Sequence, residues 1–316
     1  MRISEQQRHN SFIQNIQQRL VNMNRIQEEL GTGRSLFTPS ENIRKAGTAL
    51  STEDAIAAEA QYMRNIENGQ VWVAGADSKL QAIIDLISEV DSLALAADNS
   101  SQNADDRSNT AVQLDQKMEE LLQLVNGQSG DRYLFGGHGT TAAPFTAVRD
   151  ENGKIIGATA NEDTIAGRIY RRIGRDEDIQ INVSGSQLFQ PVGETGTDSD
   201  LFYVVSTLRN TIANNNTPPE GFEETRSNNH LREQLADIRD RITEQQSYLG
   251  SIGQRLESSM ARLKEREIQL TDTLEQAQGV DLTDLVSRSA VEEGAYNALA
   301  AMGTQLLQKS LIDYLR

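Results

Sequence analysis

The chain has no cysteine, so disulfides, thiol nucleophiles and thiolate metal sites are excluded together. Aromatic residues make up only 5 % of it and the mean hydropathy is −0.53. A large core of bulky side chains is out of reach, and the 316 residues must instead spread small apolar groups along helical seams. Basic residues are scarce too, 30 against 46 acidic, for a net charge of −16. General binding to nucleic acid or to an anionic membrane needs a basic footprint, which this balance does not supply. No apolar run approaches the roughly 20 residues of a membrane span. The opening "MRISEQQRHN" also lacks the apolar centre of a cleaved signal peptide. These absences predict a chain with no nucleic-acid partner and no membrane insertion. It is expected in the cytosol unless it leaves the cell by a route that needs no cleaved signal.

What is present is heptad spacing. Ile13, Ile16, Leu20, Met23, Gln27 and Leu30 alternate steps of three and four, which places five apolar residues and one Gln on a single seam. A second seam, from Ile66 through Gly69, Val73, Ala76, Leu80, Ile83, Ile87, Val90 and Ala94 to Ala97, keeps the spacing unbroken. Its small residues imply close helix approach. After "DNSSQNADD" the pattern resumes with Ala111, Leu114, Met118, Leu121 and Val125, and stops at Asn126-Gly127. Leu231, Leu235, Ile238, Ile242, Gln245, Leu249, Ile252, Leu256, Ser259 and Leu263 form a seam of ten positions with eight apolar residues, the mark of a coiled-coil-like helix. "GVDLTD" interrupts it near Gly279. In the last helix Ala295, Leu299, Met302 and Leu306 form one row and Leu307, Leu311 and Leu315 an adjacent one, a face broad enough for more than one neighbour.

Between the first two seams lies "EELGTGRSLFTPSENIR". Gly31 and Gly33 are suited to the left-handed conformation that closes a helix. Thr38 as N-cap, Pro39 at the first helical position and Glu41 three residues after the cap read as a capping box that restarts one. Ser51, with Asp54 three residues on, is a second cap candidate.

Near the middle the period changes. "RYLFGGHGTTAAPF" is rich in Gly and Thr, and "TAVRDENGKIIGA" reads as two strands around an Asn152-Gly153 turn. "TIAGRIYRRIG" and "DIQINVSG" continue with the alternation of half-buried strands. Helix returns at "SDLFYVVSTLRNTIANN" and pauses at "NTPPEGFEE".

Catalytic chemistry finds no anchor. His9, His138 and His230 lie in three different regions without spaced partners. "FGGHG" lacks the Gly-Lys-Ser/Thr ending of a phosphate cradle, and "RDENGK" lacks the ligand spacing of a calcium loop. "RIYRRIGR" is a basic patch without interleaved aromatic platforms, better read as a solvated strand face. Neither an enzyme activity, a cofactor nor a metal is expected.

The order is nested: helix, long helices, β insertion, long helices, helix. In this order, and in its motifs, the chain resembles the flagellin superfamily. "ELGTGRSLFTPSEN" is similar to that family's corner between its terminal helix and the next. "YLFGGHGTTAAPF" and "INVSGSQLF" resemble its exit into and return from the insertion, and "SLIDYL" resembles its C-terminal motif. "MRIS" and the "LFTPS" corner resemble the hook–filament junction branch more than flagellin itself. The chain departs at Asn42-Ile43, where many relatives carry Asp-Pro.

The resemblance implies a mainly α fold, a long coiled-coil-like antiparallel helix bundle from both chain ends with a small β-rich inserted domain. Residues 1–37 and 283–316 would be terminal helices forming the inner assembly domain, 38–138 and 200–282 a helical core, and 139–199 the outer insert. It further implies a structural subunit exported through the flagellar type III apparatus and placed on the extracellular flagellum. Its expected partners are the first hook-associated protein, flagellin, copies of itself in a ring, and a cytosolic export chaperone at the C-terminal region. A flagellin-like filament subunit is the alternative. The residues expected at the assembly interface are Ile13, Ile16, Leu20, Met23, Leu30, Leu299, Met302, Leu306, Leu311 and Tyr314. The corner is expected to rest on Gly31, Gly33, Thr38, Pro39, Ser40 and Glu41.

Overall fold

The computed structural model describes residues 2–35, 38–98, 103–214 and 227–314. In chain order the elements are α1 (Arg2–Thr32), α2 (Ile43–Ala97), α3 (Ala104–Val125), β1 (Gln128–Ser129), β2 (Arg132–Tyr133), β3 (Phe145–Arg149) and β4 (Ile155–Ala160). They continue with α4 (Glu162–Ile165), β5 (Tyr170–Gly174), β6 (Glu177–Gln180), α5 (Gly185–Leu188), α6 (Leu201–Ala213), α7 (Asn228–Gln278) and α8 (Leu282–Tyr314). The chain is mainly α with a small β-rich insert, as the periodicity predicts. Two compact units divide it, Met1–Ala58 with Glu265–Arg316, and Glu59–Lys264. The boundaries fall inside α2 and α7, and the β-rich stretch shares the second unit with α3 and α6.

In the unit 59–264 the heptad seams are the core. The apolar residues of the second and third seams are buried, and on α7 every apolar seam position from Leu231 to Leu263 is buried as well. Gly69 shows why small residues sit there: a Cβ at that position would lie 3.3 Å from side-chain atoms of both Ile181 and Leu256. Ser51 starts nothing, because α2 runs through it and its hydroxyl donates back to Thr48 O at 3.0 Å. A Ser inside a strong helical run bonds the preceding turn instead of capping. α3 does begin on a full capping box, Asn103 with Asp106.

Three antiparallel hairpins, β1–β2, β3–β4 and β5–β6, make up the sheets among the described residues. The expected turn is present between β3 and β4, with Gly153 at φ +82°. The stretch "TIAG" is not strand. Asn161 O accepts the amides of Thr164 and Ile165 at 3.2 and 3.0 Å, which closes the short helix α4. Phe135, Phe145, Phe189 and Phe202 meet in one cluster, with ring centroids 5.3 to 5.9 Å apart. Beside it Asp200 caps α6 by accepting the Phe202 and Tyr203 amides at 3.0 and 3.4 Å. Its second oxygen takes Gln190 Nε2 at 2.7 Å and the Gly196 amide at 3.0 Å. Burial still pushes its carboxyl above the usual range, and the hydrogen bonds oppose that push.

Candidate assembly helices and corner

The unit built from the two chain ends holds the candidate site. In it α1 and α8 run antiparallel: Gly303 lies against Phe12, Glu292 meets Arg19 and Asn22, and Arg288 meets Glu29. The face of α1 turned to α8 carries Phe12, Ile16, Arg19, Met23 and Ile26. The face of α8 carries Leu285, Ser289, Glu292, Tyr296, Leu299 and Gly303. Both rows advance by alternating threes and fours, as helix pairs in a left-handed twist require.

That row on α1 lies one position round from the expected one. Ile16 and Met23 belong to both and are half-buried. Ile13 and Leu20 are each 41 % exposed, Leu30 is 43 % and, on α8, Met302 is 56 % exposed. Leu299 is half-buried in the α8 row. The side chains of Leu306, Leu311 and Tyr314 lie outside the described residues. Among the described side chains the expected residues are therefore not one seam: Ile16, Met23 and Leu299 close the α1–α8 pair, and Ile13, Leu20, Leu30 and Met302 remain open beside it.

Polar residues missed by an apolar reading set the pairing. Arg19 Nη1 donates to Glu292 Oε2 at 2.8 Å and Asn22 Nδ2 donates to Glu292 Oε1 at 3.1 Å. These bonds, Arg19 first, hold the Glu292 carboxyl below its ordinary value. Glu29 is buried and bridges two guanidiniums, Arg25 Nε at 3.0 Å and Arg288 Nη2 at 2.9 Å. The Glu29 bond and the charge of Glu41 raise Arg25 above its usual value. An open groove of about 440 Å³ runs between the helices here, lined by the buried Ile26 and the exposed Val291 among others. The six-position row on α8 was legible as spacing, but Ser289, Glu292 and Gly303 within it break the apolar signal.

The corner is built differently from the expected capping box. Helix α1 ends at Thr32, with Gly31 still helical and Gly33 at φ +68°. The Gly33 amide donates to Glu29 O at 2.9 Å, the bond of a left-handed helix stop. Thr38 does not cap α2. Its hydroxyl lies 3.1 Å from Ser40 Oγ, and Thr38 O accepts the Glu41 amide at 3.1 Å, so Thr38, Pro39, Ser40 and Glu41 form an exposed turn. Asn42 takes the cap role: its Oδ1 accepts the Lys45 amide at 3.1 Å. A turn bond across Thr38–Glu41 delays the helix by one turn. Glu41 then reaches Arg25 at 3.3 Å instead of its own helix end. The left-handed Gly33 brings Arg34 and Ser35 beside the break between α7 and α8, where the Ser35 amide donates to Gln278 O at 2.8 Å and Arg34 bridges to Gly279.

Among the described residues no group of His, Asp and Glu is placed to hold a metal ion, and no helix is long and apolar enough to cross a membrane.

Comparison with known proteins follows the same lines. Residues 3–140 match the bacterial flagellin N-terminal helical region. The chain is 25 % identical over 193 residues to flagellar hook-associated protein 3 of Escherichia coli K12, covering 61 % of this chain and 58 % of that protein. It is 26 % identical over 223 residues to flagellar hook-associated protein 3 of Salmonella typhimurium LT2, covering 70 % and 68 %. The match thus spans less than two thirds of the Escherichia coli relative. Its fold is similar to that of a putative flagellar hook-associated protein from Vibrio parahaemolyticus, with a TM-score of 0.62 at 16 % identity over 76 % of this chain and 100 % of the other.

Proposed function

We propose that the chain belongs to the flagellin superfamily, whose N-terminal helical region its residues 3–140 match, and that it is a structural subunit of the bacterial flagellum, forming the layer that joins the hook to the flagellin filament. The observation that carries this reading is the pair of chain-end helices. They are registered to each other by ion pairs, yet Ile13, Leu20, Leu30 and Met302 remain open to solvent. Apolar residues left at heptad spacing beside a closed helix pair are what further helices would cover. The likeness to two relatives named flagellar hook-associated protein 3 supports the junction role over that of a filament subunit.

On this reading residues 1–37 and 283–316 form the inner assembly domain, 38–138 and 200–282 the helical core, and 139–199 the outer insert. The assembly contact is made by Ile13, Ile16, Leu20, Met23, Leu30, Leu299, Met302, Leu306, Leu311 and Tyr314. The corner from Gly31 through Glu41 sets the exit from the inner helix. The chain leaves the cell through the type III apparatus, held beforehand by a cytosolic chaperone at its C-terminal region. It then takes the first hook-associated protein, flagellin and its own copies as partners. No enzyme activity is part of this reading.

The test is a strain lacking the chain. Hooks without filaments, with flagellin released into the medium, are the expected outcome. Filaments of normal number and length would overturn the junction role, and hooks carrying only shortened filaments would favour a filament subunit.

A further inference from the structure

The motif "RIYRRIGR" has no part in the chain-end helices. It forms β5 and the residues on either side of it, within the unit 59–264. Arg168 and Arg175 are exposed and Arg171 is half-buried. Arg64 stands close by on α2, whose Asn65 Nδ2 donates to Arg172 O at 2.8 Å, and its own guanidinium goes to Gln61 Oε1 at 2.6 Å. Among the described residues none of these four arginines meets a carboxylate. Within the hairpin Arg172 holds Asp178 at 3.2 Å, and Glu177 is held by Arg255 of α7 at 2.8 Å. Asp176 and, on α2 three residues beyond Arg64, Glu67 are exposed without a salt bridge among the described residues, and Arg171 stands opposite the buried Ile179, on the other face of β5 from Arg172. In a chain with 46 acidic and 30 basic residues, carboxylates are plentiful enough to pair every arginine, so this gathering calls for an anionic surface from outside.

Such a surface exists on α7 of the same unit. Glu233, Asp237, Asp240 and Glu244 follow at steps of four, three and four, all exposed on one stripe. Asp240 lies 3.4 Å from Arg239, and the other three have no basic partner among the described residues. The stripe is about 17 Å long at 1.5 Å per residue, against about 23 Å for the extended run from Arg168 to Arg175. Within one molecule the two do not meet. The hairpin is tied to α7 at Arg255, a further ~17 Å along the helix from Glu244.

We propose that the arginine face of the β5–β6 hairpin docks on the α7 carboxylate stripe of a second copy of this chain. The contact is heterologous, one face meeting a different face, which is the kind that closes rings. Opposite charge gives it register and rejects like faces. It rests on the reading of the chain as a self-assembling subunit, and names a contact outside the terminal helices.

The experiment reverses each face in the full chain, Arg168→Glu with Arg175→Glu in one variant and Asp237→Arg with Glu244→Arg in another. All four side chains are exposed, and far-UV circular dichroism and thermal melting check that both variants fold as wild type. Self-association is followed by sedimentation and crosslinking at low and high salt. The wild type should associate at low salt and weaken at high salt. Each variant should associate about tenfold more weakly, and the two mixed should recover wild-type association, because each then offers the sign the other lacks. Variants that associate like the wild type, a mixture that fails to recover, or a monomeric wild type would each overturn the contact. Those outcomes leave the junction role standing, since that role falls only if the deletion strain keeps its filaments. Wild-type binding to duplex DNA that the hairpin reversal abolishes, with self-association unchanged, would replace the second copy by nucleic acid and overturn the proposal.

Discussion

Arg288 Nη2 lies 2.9 Å from Glu29 Oε2, joining residues 259 positions apart in the chain. With Arg25 on its other oxygen, Glu29 is buried between two guanidiniums from two helices. Glu29→Ala would remove the carboxylate that links the two helices, leaving Arg25 with Glu41 at 3.3 Å and Arg288 with Asp284 at 3.0 Å. Both arginines are about half exposed, so the full cost of a broken buried pair does not apply, and a loss of about 1–3 kcal/mol is expected. Hydrogen exchange should show α1 and α8 losing protection, while the amides of α3 and α6 keep theirs. Unchanged protection in α1 would show that apolar packing holds the pair without Glu29.

Acid should loosen the same helices. Arg19 and Asn22 hold the Glu292 carboxyl below its ordinary value, so the unfolded chain binds that proton more readily than the folded one. The resulting stability is complete above the unfolded value of about 4.3 and is lost as pH falls through the lowered folded value. Protection of α1 and α8 should decline on acidification across that window. Glu292→Gln should flatten the decline; an equally steep decline in the variant would assign the acid response to other groups.

Two glycines with positive φ should respond differently to alanine. Gly137 has φ +59°, and a Cβ there would collide with the Thr164 carbonyl, while Gly153 at φ +82° faces open space. Gly153→Ala carries only the backbone penalty of about 1–2 kcal/mol. Gly137→Ala adds a forced movement of α4 against the Phe135 loop, and should lower Tm by clearly more. Equal shifts in thermal melts would mean the loop yields freely.

Leu20 and Ile242 separate assembly from folding. Leu20 is 41 % exposed and Ile242 is fully buried in the α7 seam. Leu20→Asp should keep the wild-type Tm and block filament growth at the hook. Ile242→Asp should lower Tm outright, since an unpaired buried carboxylate costs several kcal/mol. A Leu20→Asp chain that melted as early as Ile242→Asp would place Leu20 in the folding core.

The long seams could be read from the sequence because burial and spacing coincide there. Leu231 to Leu263 and Ile66 to Ala97 face the interior at the positions their threes and fours assign, since an apolar residue on a helix within one unit has a single place to go. The helix stop at Gly33 was legible for a similar reason: the left-handed turn is a property of the residue itself. Which row of α1 meets α8 was not. Ile13 and Phe12 are both apolar, and only the partner helix selects between adjacent rows; the choice fell on the row whose Arg19 could reach Glu292. The α2 cap moved from Thr38 to Asn42 because a four-residue turn bond competed with the capping box, and Glu41 found Arg25. Periodicity reports what a residue must hide from water, and it decided the helices and their buried faces. The pairing of charges depends on groups far apart in the chain, and only the tertiary structure brings Glu29 to Arg288.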